Sequence, residues 1–326
     1  MAVILVAGAC GGATATPVSI PPNATASIVP PASGTPEPTE TPEPAATFPL
    51  TLTDDEGTQV ALASEPTKIV SLTPATTEVL FKIGAGPRVI ATTDFDDYPP
   101  EAVALPDVAS FTAIDIEKIV AMDADLVVAG GNGFNPPDQL AKLRNLGIPV
   151  LVVYARNVAA VLADIELVGD AVGEGPAAHA LTATMQAGFD RVVAATQSLA
   201  KPRTFYEIDT TGAIYGPSDE SFLAGMIDQA GGDPITTGDP NKYDISLEKL
   251  VAADPEVIVL GDAAYGATPA IVKARPGWGT MTAVKTGAIR PAMDILITRP
   301  GPRLVEGLVN LAVAIHPELA TVLSTP

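Results

Sequence analysis

The sequence predicts an α/β protein of two related α/β lobes with parallel-type sheets, joined by one long helix, with a ligand cleft between the lobes. Three observations carry this expectation. From Lys68 onward, short β-rich runs alternate with helix-patterned runs, the order that builds parallel sheets covered by helices. A helix–strand segment is also written twice. "DIEKIVAMDADLVVAG" at 115–130 aligns without a gap to "SLEKLVAADPEVIVLG" at 246–261, so that Glu117, Asp123, Val128 and Gly130 match Glu248, Asp254, Val259 and Gly261. Two copies mean a pair of related lobes and not a solenoid. Between the copies, residues 176–200 carry no strand pattern; Leu181, Met185, Val192, Val193 and Leu199 fall at helix-compatible spacing, and Pro176 stands where a helix can begin.

Taken in order, residues 1–10 form the first segment, ending within "VAGACGG" at the only cysteine, Cys10, which follows small residues. It reads either as a free thiol in an N-terminal scrap or as the cysteine of a bacterial lipobox, to be lipid-modified. The nine residues before it lack the basic and apolar stretches of a full signal peptide, so the start is expected to be truncated or misassigned. Residues 11–49 are rich in Thr, Pro, Ala and Glu, a composition that cannot bury a core and suits a disordered, polyproline-like stalk. That stalk favours the lipobox reading. Residues 50–67 form a lead-in segment. The N-terminal lobe is expected over 68–175, where "KIVSLTP" and "RVIATTD" read as its first strands and "ATTEVLFKIGAG" as its first helix. The connecting helix covers 176–200 and the C-terminal lobe 201–326, with "TFYEID" and "AIYG" as strands, "DESFLAGMIDQAGG" as a helix and "RLVEGLVNLAVAI" as the last one.

Composition excludes several functions. Against 18 Lys and Arg stand 38 Asp and Glu, a net charge of −20, which repels phosphate backbones and anionic membranes, so no nucleic-acid partner is expected. With 47% hydrophobic residues, a sizeable core is available. The two histidines, His179 and His316, make no HExxH or other metal signature. "GAGPRV" and "GGNGFNPP" miss both GxGxxG and the P-loop, no GxSxG elbow occurs, and "DFDD" lacks the glycine and distal Glu of a calcium loop. Neither a catalytic residue, a metal nor a cofactor is expected, and the chain is read as a non-enzyme.

The loops after the strands are the informative positions, because two such lobes aim the C-terminal ends of both sheets at one cleft. There the sequence offers Phe95, Tyr98 and Phe111 in the first lobe, Tyr215 and Tyr243 in the second, and Arg299 in "TRPGPR" just after Asp294. Any one ring would serve equally well as core packing. Clustered at strand ends, they suit a large, flat or amphipathic ligand.

With these residues named, the chain resembles the substrate-binding proteins of bacterial ABC importers. Within them it is similar to the group with a rigid inter-lobe helix that binds cobalamin, haem or iron–siderophore complexes. "KIVSLTPATTEVLFKIG", "DYPP", "IEKIVAMDADLVVAGG" and "RPGPR" recur there in this order, over Lys68 to about His316. The resemblance implies a monomeric, extracytoplasmic lipoprotein that hands a small-molecule ligand to a permease and its ATPase. The positions that grip the corrin in cobalamin binders match Phe95, Phe111 and Tyr243, which makes cobalamin the favoured ligand and an iron chelate or haem the alternative. One acidic residue per lobe docks on the permease in this family. The matching positions are taken as Glu78 and Glu220, each also an ordinary partner for a helix N-terminus. A tethered enzyme or a ligand sensor on the same scaffold remains the rival from another class.

Overall fold

The structure is a computed structural model that describes residues 46–110 and 113–324; all of them fall within one compact unit, Pro42–Pro326. The lipobox around Cys10, nearly all of the stalk, and Phe111 lie outside the described residues.

A hairpin, β1 (Leu50–Thr53) and β2 (Gln59–Leu62), is the first element among the described residues. The first lobe then runs β3 (Ile69–Ser71), α1 (Pro74–Lys82), β4 (Val89–Thr93), α2 (Pro100–Val103), β5 (Asp107–Ala109), α3 (Ile116–Ala121), β6 (Leu126–Gly130), α4 (Pro137–Asn145), β7 (Val150–Val153) and α5 (Val158–Ala171). Its five strands pair in parallel in the order β5-β4-β3-β6-β7. After α6 (Gly175–Thr196) come β8 (Arg203–Glu207), β9 (Ile214–Tyr215), α7 (Phe222–Gln229), β10 (Asp233–Pro234), β11 (Asp244–Ile245), α8 (Leu247–Ala253), β12 (Val257–Leu260), α9 (Pro269–Ala274), α10 (Thr282–Thr286), β13 (Ile289–Pro291), α11 (Asp294–Thr298), α12 (Leu304–Ile315) and α13 (Ala320–Leu323). The second parallel sheet has the order β10-β8-β12-β13.

Local chemistry sets the helix starts. Thr73, Asp115, Asn157, Ser221, Ser246 and Thr268 each turn a side-chain oxygen onto a backbone N–H of the first turn of α1, α3, α5, α7, α8 and α9, satisfying donors that a helix leaves unpaired. The repeated sequence is α3–β6 in one lobe and α8–β12 in the other. Both copies turn from helix to strand through a left-handed aspartate, Asp123 at φ 53° and Asp254 at φ 47°, and both strands sit inside their sheet.

One element departs from the sequence expectation. "AIYG" forms no strand of the parallel sheet; β9 pairs antiparallel with β11, Tyr215 opposite Asp244, in a separate ribbon. A strand inside a parallel sheet is buried on both faces, and a two-residue strand preceded by "DTTG" and followed by "GPSD" has too little apolar length for that. The hairpin was also not foreseen. Asp54 closes its turn by accepting from the N–H groups of Glu56 and Thr58 at 3.1 and 2.7 Å and pairs with Arg144. The N–H of Asp55 then donates to the Val152 carbonyl on β7, which ties the hairpin to the first lobe.

The lobes share a core. One continuous hydrophobic cluster runs from Leu80 on α1 and Ile165 on α5, through Met185, Phe189 and Val192 on α6, to Ile227 on α7 and Leu308 on α12. α6 and α12 approach closely enough that a side chain at Gly188 would strike Val305. Each such fully buried side chain contributes about 1.5–3 kcal/mol. Two smaller clusters cover the outer faces, around Leu140 and Leu143 in the first lobe and around Trp278 and Met281 in the second.

Candidate functional site

A cavity of about 940 Å³ opens between the lobes. Residues from both build its wall: 73–76, Phe95, Gly130, Phe134 and Tyr154 at or just beyond the ends of β3, β4, β6 and β7, and 263–265, 292–295 and 298–300 from the segments after β12 and β13. Asp164, Ile165 and Val168 of α5 and Phe222 of α7 also line it. These are the C-terminal ends of parallel strands, where backbone N–H groups and loop side chains are not consumed by the sheet.

The wall is mostly apolar and several of its large side chains are open to solvent. Phe134, Tyr154, Met293 and Ile295 are 42%, 38%, 55% and 40% exposed, and Tyr265 is 89% exposed. Phe95 and Phe134 meet edge to face, with ring centroids 6.0 Å apart. Asn132 Nδ2 donates to Tyr154 Oη at 2.8 Å, which holds that ring in place. Large apolar surface left wet at a concave site marks a binding face.

Few polar groups interrupt it. The Asp294 carboxyl accepts a hydrogen bond from Tyr206 Oη at 2.7 Å. Burial, and then Asp294 beside it, pushes the Tyr206 hydroxyl up, so it stays protonated and keeps donating. Asp164 is pushed up to about 8 by burial and by the neighbouring Asp55, so at neutral pH it carries a proton and presents a neutral acid to the cavity. Behind the wall Asp262 is raised to about 7, by burial first and then by Glu207; Glu207 is itself bound by Arg275 at 2.5 and 2.8 Å.

Arg299, the third polar group, is engaged across the lobes. Its Nη1 donates to Glu78 Oε1 at 2.8 Å and to Asp97 Oδ1 at 2.6 Å. Arg303 grips the same carboxylate, Nε to Oε2 at 2.8 Å and Nη2 to Oε1 at 2.6 Å. The Glu78 side chain is only 2% exposed. Burial alone would lower the Arg299 guanidinium; its bonds to Asp97 and Glu78 outweigh that and hold it above its ordinary value.

Of the residues read from the sequence as ligand contacts, Phe95, Asp294 and Arg299 line the cavity. Tyr98 does not: its ring lies under the Arg303 guanidinium, 4.2 Å from centroid to carbon, outside the wall. Tyr215 and Tyr243 are carried away with the β9–β11 ribbon, bound through their backbones, and also lie outside the wall. Phe134, Tyr154, Tyr265 and Asp164 were missed. A ring in the glycine-rich "GGNGFNPP" was the available signal for Phe134.

The docking pair also needs correction. Glu78 lies in the middle of α1, buried under two arginines, and cannot reach a partner protein. Glu220 is exposed with φ 57°, just before α7, so the two are not equivalent. The equivalent exposed carboxylates are Glu117 and Glu248, each in the first turn of the repeated helix of its lobe. Among the described residues no group of three or more His, Cys, Asp or Glu converges as metal ligands, and no helix is long and apolar enough to cross a membrane.

Two parallel-sheet lobes on one bridging helix, with an apolar cavity at their strand ends, define a two-lobed ligand-binding protein. The chain belongs to the periplasmic binding protein family, which matches residues 69–292. It is 29% identical over 276 residues to an uncharacterised ABC transporter substrate-binding lipoprotein of Bacillus subtilis, covering 83% of this chain and 87% of that one. It is 29% identical over 286 residues to a cobalamin-binding protein of Halobacterium salinarum, covering 83% and 75%. The crystal structure of the periplasmic vitamin B12 binding protein of Vibrio cholerae shares the fold at a TM-score of 0.68 and 23% identity, over 80% of this chain and 99% of that one.

Proposed function

We propose that this protein captures a cobalamin-like corrinoid outside the cytoplasm and delivers it to the permease of an ABC importer driven by its ATPase. The observation that supports this best is the cavity itself. At about 940 Å³ it stands at the upper end of small-molecule sites, about 300–1,000 Å³. Its exposed rings, Phe134, Tyr154 and Tyr265, offer apolar faces to a macrocycle, while Asp164, Asp294 and the threonines offer hydrogen bonds to amides on its rim. Binding and release are the whole activity in this reading. Cys10 carries the lipid anchor, and Glu117 and Glu248 meet the permease, one per lobe.

A second reading has an observation of its own. Tyr154 and Tyr265 bring one phenol from each lobe to the wall, and phenol oxygens are ligands that ferric iron accepts, as in tyrosine-ligated haem. An iron chelate or haem is the alternative cargo.

Isothermal titration of the full chain with cyanocobalamin, backed by native mass spectrometry of protein isolated from its source, tests the proposal. Saturable one-to-one binding at micromolar affinity or tighter is expected. No corrinoid binding, or recovery of a different ligand in the cleft, would refute the corrinoid assignment. Uptake in vesicles holding the permease and ATPase separates transport from sensing.

A further inference from the structure

We infer that Glu78 sets the charge selectivity of the cavity: by neutralising Arg299 it makes this a site for neutral or cationic ligands and turns anionic cargo away. The inference rests on the reading of the cavity as a ligand site and names the class of ligand that site accepts.

The physical requirement is simple. An anionic group that leaves water for an apolar cavity needs a cation or several donors to replace its hydration. Among the described residues that line this cavity, Arg299 alone is basic. Its Nη1 is already shared between Glu78 and Asp97, at 2.8 and 2.6 Å. Arg303 completes the cluster from the other side of Glu78 at 2.6 Å, with its guanidinium over the Tyr98 ring. Two guanidiniums and two carboxylates leave no net positive charge. The remaining acidic wall positions, Asp164 and Asp294, bring no positive charge, and the hydrogen bond of the Asp164 carboxyl runs to Asp55. Arg156, the nearest other guanidinium along the chain to the wall residue Tyr154, is exposed and drawn over that ring at 5.9 Å, where solvent screens it.

Glu78 is the member that matters because it is buried. Asp97, 51% exposed, holds Arg299 through a bond that water competes for. The Glu78 carboxylate, shut away at 2% exposure, cannot exchange its partners for water and so keeps the guanidinium committed. A neutral ligand with amide and hydroxyl groups loses nothing by this. It can donate to the Asp294 carboxyl and to the Thr298 hydroxyl oxygen on the wall.

The test compares three probes on the full chain by titration calorimetry: cyanocobalamin, which is neutral overall; hemin, with two propionates; and a trianionic ferric tris-catecholate. Wild type should bind cyanocobalamin at least about tenfold more tightly than either anion. Asp97→Asn and Glu78→Gln should each raise affinity for the anions, Glu78→Gln by about tenfold, the scale of one released charge-assisted hydrogen bond. Cyanocobalamin affinity should stay within about twofold. Adding Arg299→Gln to Glu78→Gln should cancel the gain, which a general loosening of the fold would not do. If Glu78→Gln fails to fold, Asp97→Asn carries the test through the net charge of the cluster, which it raises by the same single unit. The inference is overturned if wild type takes hemin or the tris-catecholate as tightly as cyanocobalamin, or if neither variant moves the ratio. Wild type that binds none of the three sinks the proposed function and this inference with it; corrinoid binding with an unmoved ratio sinks the inference alone.

Discussion

Tyr265 stands 89% exposed on the cavity wall, so truncating it probes the binding face without opening a cavity in the core. Tyr265→Ala should weaken ligand binding about tenfold or more, the value of a buried aromatic face. The unfolding free energy should stay within about 0.5 kcal/mol; a lowered melt with intact binding would place the ligand elsewhere. Asp164 gives a prediction of opposite kind. Its carboxyl titrates near 8 when folded and near 3.9 when unfolded, so the folded state holds a proton that the unfolded state has lost. The stability this proton lends is complete below about pH 4 and is lost as pH rises to about 8, at up to about 1.4 kcal/mol per unit. Urea unfolding at several pH values should show that decline in wild type and a flatter line in Asp164→Asn. Phe95, Asp294 and Arg299 were legible because they follow strands in stiff, proline-bearing loops. Glu78 was misread because sequence shows a carboxylate near a helix start and not the two arginines that close over it.

The repeated helices make the clearest prediction at the level of elements. Each is capped by its own first residue's neighbour, Asp115 or Ser246, and each presents one exposed carboxylate in the first turn. Glu117→Lys and Glu248→Lys should leave ligand affinity unchanged and lower uptake in reconstituted vesicles, the double change more than either alone, since a reversed charge leaves an interface partner unpaired. Normal uptake by the double variant would dismiss these helices as docking elements. A melt reads helix loss directly, and a first-turn acid contributes only about 0.3–1 kcal/mol. The last glycine of the second repeat offers a structural check. A side chain at Gly261 would run into the Tyr206 ring, so Gly261→Ala should cost about 1–3 kcal/mol and disturb the hydroxyl that holds Asp294. Periodicity revealed most of these elements, since a period of 3.6 or of 2 is a local property. It misplaced "AIYG", because whether a short strand joins a sheet depends on neighbours that local pattern does not contain.

For the molecule as a whole, the shared core decides the mechanics. The cluster that runs through α6 joins both lobes without a gap, and the Glu78 pairs add a second link between them. Thermal unfolding should therefore be one cooperative transition rather than two lobes melting apart. Closure on ligand should be small, and a fall of several ångströms in the radius of gyration on binding, measured by X-ray scattering, would contradict this architecture. What the sequence by itself determined was the two-lobed α/β plan, the duplication, the bridging helix and the strand ends as the place to look, because each is written in periodicity and order along the chain. Only the tertiary structure decided which side chains share the cleft. Tyr154 and Tyr265 reach one wall from separate lobes, and Arg299 meets Glu78 across 221 positions of sequence. Contacts of that kind are made by packing, where burial selects which charge finds which partner, and no local pattern encodes the distance between them.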